Sequence, residues 1–415
     1  MSKTKDPRPK TKSALGNRQS AISLEDAYIQ LLSWCRAHDF AGHDPFDALN
    51  SRLFQSTPFI QSRNARLIWT QLVKRSPADL RVVSLVPSER NAKGIALFCL
   101  AQLANHRRLK TVASESQARA LLDDLLSMQL DGYSGAAWGY NFDWQSRNFF
   151  APRGEPTIVP TAFAARALVE AAREFQDEQY LSTARSVCNF IIYDLPPTVL
   201  VDKEICFGYS PHGDTQIFNA SLLAGEILAD VAALSGDADL AEFAEKAARY
   251  VVKHQRADGS WTYGNEANQD WVDNFHTAYI LFSLKRIIKA CSLGIEFQQA
   301  LERGYDYWKK SFFLADGWPK YYHDDPYPAD AHAGASAIVT FLELRDLDPN
   351  AAKLAGDVAL WTIGNLRDEQ GYFYYQKRRF YTVRKPYMRW SQAWMLYALA
   401  RLLESSFQPQ INADR

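Results

Sequence analysis

The feature that most constrains this chain is an alternation of two kinds of helical pattern along most of its length. The first kind is apolar on one face only. Leu240, Phe243, Ala244, Ala247, Ala248, Val251 and Val252 recur at i, i+3, i+4, i+7 and i+8 spacing. Ala184, Val187, Cys188 and Ile191 repeat it, as do Leu301, Gly304, Tyr305, Trp308 and Phe312, with Leu354, Val358, Trp361 and Thr362 as a weaker version. The second kind, in the runs 217–234, 276–288, 332–344 and 390–403, is apolar or small nearly all round. A helix without a polar face is covered on both sides. One-faced helices therefore form an outer layer and two-faced helices an inner one.

The inner helices begin near Thr157, Ile217, Trp271, Asp330 and Pro386, at intervals of 54 to 60 residues, the period of a repeat architecture. An earlier inner helix over 89–104, followed by its one-faced outer partner over 116–128, brings the inner set to six. The helix at 24–37 or the one at 63–74 closes the ring. Glycine–aromatic stops follow the outer helices: GAAWGY (135–140), CFGY (206–209), DGSWTY (258–263), DGWPKYY (316–322) and GYFYY (371–375). Glycine takes the left-handed position after a helix cheaply, and the aromatic can cover the exposed end. The predicted fold is all-α, an (α/α)6 toroid over 85–405. A helical segment over 21–84 packs on it, with a disordered basic tail at 1–20 and a short tail at 406–415.

Composition narrows the partners. Lys plus Arg (47) equal Asp plus Glu (47), so no net field draws the chain to nucleic acid or an anionic membrane. No stretch of about 18 uninterrupted apolar residues is present, so membrane insertion is not expected. The five cysteines are scattered and never spaced CxxC. That argues against a disulfide framework or a structural zinc site and for a reducing, cytoplasmic setting. No metal or cofactor is expected.

In a closed ring, the loops entering the inner helices line one mouth, where helix N-termini gather and favour anionic groups. Residues far apart in sequence then converge: Trp138, Tyr140, Asp143, Trp144 and Arg147; His212, Asp214 and Asn219; Asp270, Trp271, Asp273, Asn274 and His276; Lys320, Tyr321, Tyr322, Asp330 and His332; Arg384, Lys385, Tyr387, Arg389 and Trp390. The stop aromatics Trp261, Trp318, Tyr372 and Tyr374 extend the same set. Indole and phenol faces stack on sugar rings, while Asp, Asn, Arg and Lys meet hydroxyls and carboxylates. A hydrocarbon site would carry few polar groups, so the mixture reads as a carbohydrate cleft for an oligo- or polysaccharide.

Two chemistries compete there. A hydrolase needs two carboxylates flanking the bond, and Asp143, Asp273 and Asp330 are the candidates. Asp214, Asp270 and Asp330 also suit helix caps. A lyase or epimerase acting on a uronic acid takes a proton with a His or Tyr, here His276, His332 or Tyr322, while Asn219 and Arg389 neutralise the developing charge. Asp273 and His276, three apart on one helical face, form the preferred acid/base pair. Basic residues in the last two mouth loops lean toward an acidic sugar. A glycan-binding or scaffold toroid without catalysis is the rival from another class.

The alternating hairpins resemble the α/α toroid of six-hairpin glycosidases, polysaccharide lyases, sugar epimerases and the terpenoid-cyclase and prenyltransferase group. The stretch His254-Gln255-Arg256-Ala257-Asp258-Gly259-Ser260-Trp261 is similar to the Q-x-x-x-G-x-W repeat of triterpene cyclases, but it is well formed only once. His276-Thr277-Ala278-Tyr279 resembles the H-T-x-Y sequence of prenyltransferase β subunits. That family also needs an Asp and a Cys one repeat earlier, and 217–221 has neither. A more specific resemblance is to bacterial proteins encoded with exopolysaccharide and capsule genes. It is carried by HDFAGHDPFDALNS (38–51), AWGYNFDWQSR (137–147), DNFHTAYIL (273–281), DGWPKYYHDDPYPADAHAGASAI (316–338), and GYFYYQ with PYMRWSQAWM (371–376 and 386–395). It implies a role in surface-polysaccharide production, with the synthesis machinery as a partner. Relatives sometimes carry the label δ-aminolevulinic acid dehydratase, a β/α barrel whose strand–helix alternation is missing from this sequence.

Overall fold

The computed structural model of the chain describes residues 22–146 and 150–407, so the expected basic tail, Arg147 and most of the C-terminal tail lie outside the described residues. The helical layer opens with α1 (Leu24–Ala37), followed by α2 (Arg52–Gln55), α3 (Arg63–Arg75) and α4 (Leu80–Val83). Five hairpins come next: α5 (Ala92–Leu109) with α6 (Val112–Ser127), α7 (Ile158–Phe175) with α8 (Glu178–Asn189), α9 (Phe218–Ser235) with α10 (Ala238–Lys253), α11 (Asn274–Cys291) with α12 (Ile295–Phe312), and α13 (Ala331–Glu343) with α14 (Ala351–Leu366). A π-helical turn, Met388–Ala393, leads into α15 (Trp394–Phe407).

The ring closes. Helices α5, α7, α9, α11, α13 and α15 each pack on the next, and α15 packs back on α5. Outside them stand α6, α8, α10, α12 and α14, and α1 packs on α15 as the sixth outer member. Of the two candidates for closing the ring, the first helix of the chain does so. The fold is an (α/α)6 toroid. Helix α9 is long and apolar enough to cross a membrane, but 83% of it is buried inside this ring.

The stops work differently from the simple terminator expected. Of the stop glycines, Gly259, Gly317 and Gly371 have positive φ and Gly135, Gly139 and Gly208 do not, and each of the first three lies several residues beyond its outer helix. Left-handed residues directly after helices occur instead at the inner ends, at Lys110, Gln176, Gly236 and Ser292. At Gly259 the need for glycine is steric as well as conformational: a Cβ there would stand 2.5 Å from the Arg303 carbonyl oxygen. The CFGY stop turns out to be part of a β-hairpin, Pro197–Val201 against Glu204–Phe207.

Backbone bridges stitch the mouth loops together. The residue entering each inner helix pairs with the loop of the following repeat: Ile217 with Gly264, Asp273 with Tyr322, and Asp330 with Gln376. Asp273 and Asp330 also cap α11 and α13 with their carboxylates, so two of the candidate acids have a helix-start duty.

At the opposite end of the ring the inner helices meet through ion pairs. Arg166 of α7 grips Glu226 of α9 at 2.8 and 2.5 Å, and Ser283 of α11 donates to the same carboxylate at 2.6 Å. Arg286 of α11 and Arg401 of α15 both reach Glu343 of α13, at 2.8 and 3.1 Å. Arg107 of α5 joins Glu170 of α7 at 2.9 Å and Glu404 of α15 at 2.5 Å. Each inner helix contributes to this plug. Burial alone would raise the Glu343 carboxyl, but Arg286 and Arg401 hold it well below the usual carboxylate range.

Candidate active site

The mouth encloses a cavity of about 460 Å³. Its wall includes twelve of the expected residues: Tyr140, Trp144, Asn219, Asp270, Trp271, Asp273, His276, Tyr321, Tyr322, His332, Arg389 and Trp390. These come from loops and helix starts spread over 250 residues of sequence (140 to 390), brought together by ring closure.

His276 sits in the first turn of α11, whose cap is Asp273. The Asp273 carboxylate is almost fully buried and fully engaged. It accepts the His276 backbone N–H at 3.0 Å, the Trp271 indole N–H at 3.1 Å, and pairs with His276 Nδ1 at 2.7 Å. A carboxylate on Nδ1 fixes the ring and its tautomer, leaving Nε2 as the working nitrogen. No hydrogen-bond partner for Nε2 stands among the described residues, and His276 lines the cavity.

His332, at the start of α13, is buried, with Nε2 2.7 Å from the Tyr279 hydroxyl, which in turn accepts Lys93 Nζ at 3.0 Å. Burial, reinforced by Lys93, Arg389 and His276, pushes the His332 imidazole well below its ordinary value. Burial likewise pushes the Lys93 ammonium far down and the Tyr279 phenol far up. With Lys93 donating to Tyr279 and Tyr279 donating to His332 Nε2, the proton of neutral His332 is assigned to Nδ1. That Nδ1 is buried without a partner. Asn219 Oδ1 and Thr70 Oγ1, from two other walls of the cavity, are unpartnered in the same way. Buried polar groups are usually satisfied by protein, water or ligand, so three orphans on residues of one cavity wall are notable, although Arg286 Nε and Asp230 Oδ2 at the far end are orphaned too.

The other described residues of the expected set stand outside the cavity wall. Trp138 and Trp261 are core residues: each buries its indole and donates to a carbonyl in the last turn of the preceding outer helix, Leu125 and Val251, both at 2.8 Å. They satisfy orphan carbonyls of a helix end, which is why a tryptophan recurs there. Trp318 donates to the Pro326 carbonyl and packs on Trp361, while the Lys320 ammonium is taken up by the His323 carbonyl. Tyr374 donates to Asp368, and Tyr372 packs between it and Trp34 of α1. Asp143 accepts the Arg153 backbone N–H at 2.7 Å. Asp330 lies behind Trp390, accepting its indole N–H at 3.0 Å and the Gln376 amide at 2.7 Å. Burial raises the Asp330 carboxyl to about 6 against those hydrogen bonds. Asp330 positions a wall residue rather than facing the cavity.

The cavity also holds residues that the sequence reading missed. Tyr209, Tyr263 and Tyr279 add aromatic wall, Lys93 enters from the start of α5, and Phe46, Leu67, Thr70, Gln71, Lys74 and Arg75 roof the mouth from the N-terminal segment. One signal was available: Leu67, Thr70, Gln71 and Lys74 follow i, i+3, i+4, i+7 spacing on α3. Among the described residues, no group of three His, Cys, Asp or Glu side chains is gathered as a metal site requires.

Arg389 is not a free cation. It forms a two-pronged pair with Asp44 at 2.5 and 2.7 Å and lies 5.2 Å from the centre of the Tyr140 ring. It braces the wall and carries a compensated charge.

Solved structures with this arrangement exist. A cellobiose 2-epimerase from Bacillus thermoamylovorans superposes with a TM-score of 0.61 at 15% identity, over 77% of this chain and 87% of that one. An unsaturated glucuronyl hydrolase specific for heparin matches with a TM-score of 0.58 at 14% identity, over 92% of this chain and 96% of that one. A GH76 α-mannanase from Bacteroides thetaiotaomicron matches at 0.57 and 11% identity, over 76% and 86%. The fold is that of the six-hairpin toroids. No protein-family model and no curated protein matches the sequence, so the likeness is one of fold.

Proposed function

We propose that this protein is a glycan-processing enzyme in which His276, oriented by Asp273, moves a proton at a sugar carbon beside a carboxylate or carbonyl group. One observation carries the reading: the 2.7 Å Asp273–His276 pair in the cavity wall, with Nε2 left for a ligand. His276 Nε2 takes the proton. In an epimerase, a proton returns to the other face of the carbon; in a lyase, the substituent on the next carbon leaves with its bonding pair. Trp144, Trp271, Trp390 and the tyrosines supply stacking faces, and Asn219 and His332 supply polar contacts. The neutral, buried Tyr279–His332 pair is suited to donating toward developing negative charge.

Hydrolysis in the same cavity is the second reading, favoured by the hydrolases that share the fold. Its carboxylates would be Asp270 at the rim and Asp273, the two acids of the wall. The motif resemblance to exopolysaccharide-cluster proteins supports a place in bacterial surface-polysaccharide synthesis, in the cytoplasm and beside the synthesis machinery.

The test is incubation with neutral and uronic oligosaccharides in deuterated water. Deuterium at a sugar carbon marks an epimerase, a new alkene absorbance marks a lyase, and reducing ends without either mark a hydrolase. Loss of turnover with retained binding in His276→Ala and Asp273→Asn supports the assignment. Full turnover in His276→Ala overturns it, and glycan binding without turnover in any substrate class transfers the protein to the scaffold reading.

A further inference from the structure

Among the described residues, four cations line the cavity: Lys74, Arg75, Lys93 and Arg389. Two are spoken for. Arg389 is clamped by Asp44, and Lys93 is bound to the Tyr279 hydroxyl in a setting where burial disfavours its charge. Arg75 stands exposed at the rim. Lys74 is different. It is half-buried, with Nζ 4.0 Å from the centre of the Phe46 ring and 5.9 Å from that of Trp390. No hydrogen bond or ion pair to it occurs among the described residues.

Thr70 lies one turn before Lys74 on the same face of α3, and its buried hydroxyl has no partner. A cation resting on aromatic faces is only partly compensated. Burial lowers the Lys74 ammonium to about 8 against the pull of Asp330, as is usual for a charge short of solvent and of a counter-ion. A carboxylate in the cavity would give Lys74 its counter-ion and Thr70 an acceptor at once.

We infer that Lys74, with Thr70 beside it, is the subsite that holds a substrate carboxylate, which makes the substrate an acidic sugar. The inference rests on reading this cavity as a sugar site. It gives the N-terminal segment a specificity role: α3 roofs the mouth and selects the charge of what enters.

Calorimetric binding of tetragalacturonate, tetraglucuronate and tetramannuronate, each against its carboxyl-reduced neutral counterpart, tests it. Lys74→Met keeps the packing stem and removes the charge. Wild type is expected to prefer at least one acidic oligosaccharide over its neutral form. Lys74→Met should weaken that acidic ligand by about tenfold or more and leave the neutral one within about twofold. Lys74→Arg should retain most of the affinity, and Thr70→Val should cost about threefold. Wild type that binds no uronate or prefers the neutral forms, or a Lys74→Met that weakens both ligands equally or neither, overturns the inference. If Lys74→Met does not fold, a Thr70→Val that leaves acidic affinity unchanged overturns it. Turnover is read separately. Lys74-dependent binding without turnover removes the enzyme reading and keeps the subsite, while turnover of neutral glycans untouched by Lys74→Met does the reverse.

Discussion

The two ends of the ring are built from the same six inner helices and solve opposite problems. At the far end, Arg107, Arg166, Glu226, Arg286, Glu343, Arg401 and Glu404 pair their charges with one another, although Arg286 Nε and Asp230 Oδ2 there have no hydrogen bond. At the mouth, His332 Nδ1, Asn219 Oδ1, Thr70 Oγ1 and the Lys74 ammonium have no such partners. Charged residues are buried at both ends, so burial alone does not mark a functional site. What separates a plug from a pocket is whether the polar groups are consumed by the protein.

The largest effect that would break this contrast is at His276. His276→Ala should reduce turnover by about 10²–10⁴-fold, the usual share of a positioned general base, and leave the melting temperature nearly unchanged. Activity kinetics beside thermal unfolding check it, and a large stability loss with intact turnover would reverse the roles of the two ends.

Glu226→Ala should do the opposite. It strands Arg166 and part of Arg286 in the plug and is expected to cost about 3–5 kcal/mol in urea unfolding, while glycan affinity in the folded fraction stays within twofold.

The two ends should also answer pH with opposite sign. The Asp330 carboxyl is raised to about 6 in the folded protein, so the folded state holds the extra proton and stability falls as pH rises from about 4 to about 6. Asp330→Asn should lack that fall, shifting the stability difference toward the variant by about 1.4 kcal/mol per pKa unit across the window. Glu343 is depressed, so its contribution is complete above the ordinary glutamate range and is lost as pH falls below it. Unfolding titrations of wild type, Asp330→Asn and Glu343→Gln at fixed salt separate the two slopes.

The smallest effect is expected outside both ends. Tyr374→Phe removes the 2.7 Å bond to Asp368 and should cost about 1 kcal/mol of stability with no change in turnover. A loss of activity there would extend the site to a loop that the cavity does not reach.

The ring itself was legible because helix periodicity is a long-range average that single residues cannot spoil. Starts expected near Thr157, Ile217 and Asp330 fall within a residue or two of Ile158, Phe218 and Ala331. The split of the aromatics was not legible. Trp138 and Trp144 share one loop, yet one indole turns to the Leu125 carbonyl and the other to the cavity, a choice made by packing against α6 and not by residue type. The surroundings of the hydrolase candidates Asp143, Asp273 and Asp330 were not legible either: carboxylates are drawn to nearby N–H groups, and Asp143 accepts that of Arg153 in its loop while Asp330 caps α13 behind Trp390. The plug had a readable sign that was passed over. Arg166, Glu226, Arg286 and Glu343 are spaced 57 to 60 residues apart, the period of the hairpins, so charges recurred in step inside apolar helices.

Closure of the circle by α1 against α15 has a consequence for biogenesis. Helix α1 rests on α15, so its permanent neighbour does not exist until more than three hundred further residues have been made. Arg389 and Trp390, in the turn before α15, complete the wall beside Asp44, Phe46 and Lys74, contributed some three hundred residues earlier. Before α15 is made the ring is therefore open and the cavity wall incomplete, and both are finished together when α1 and α15 meet.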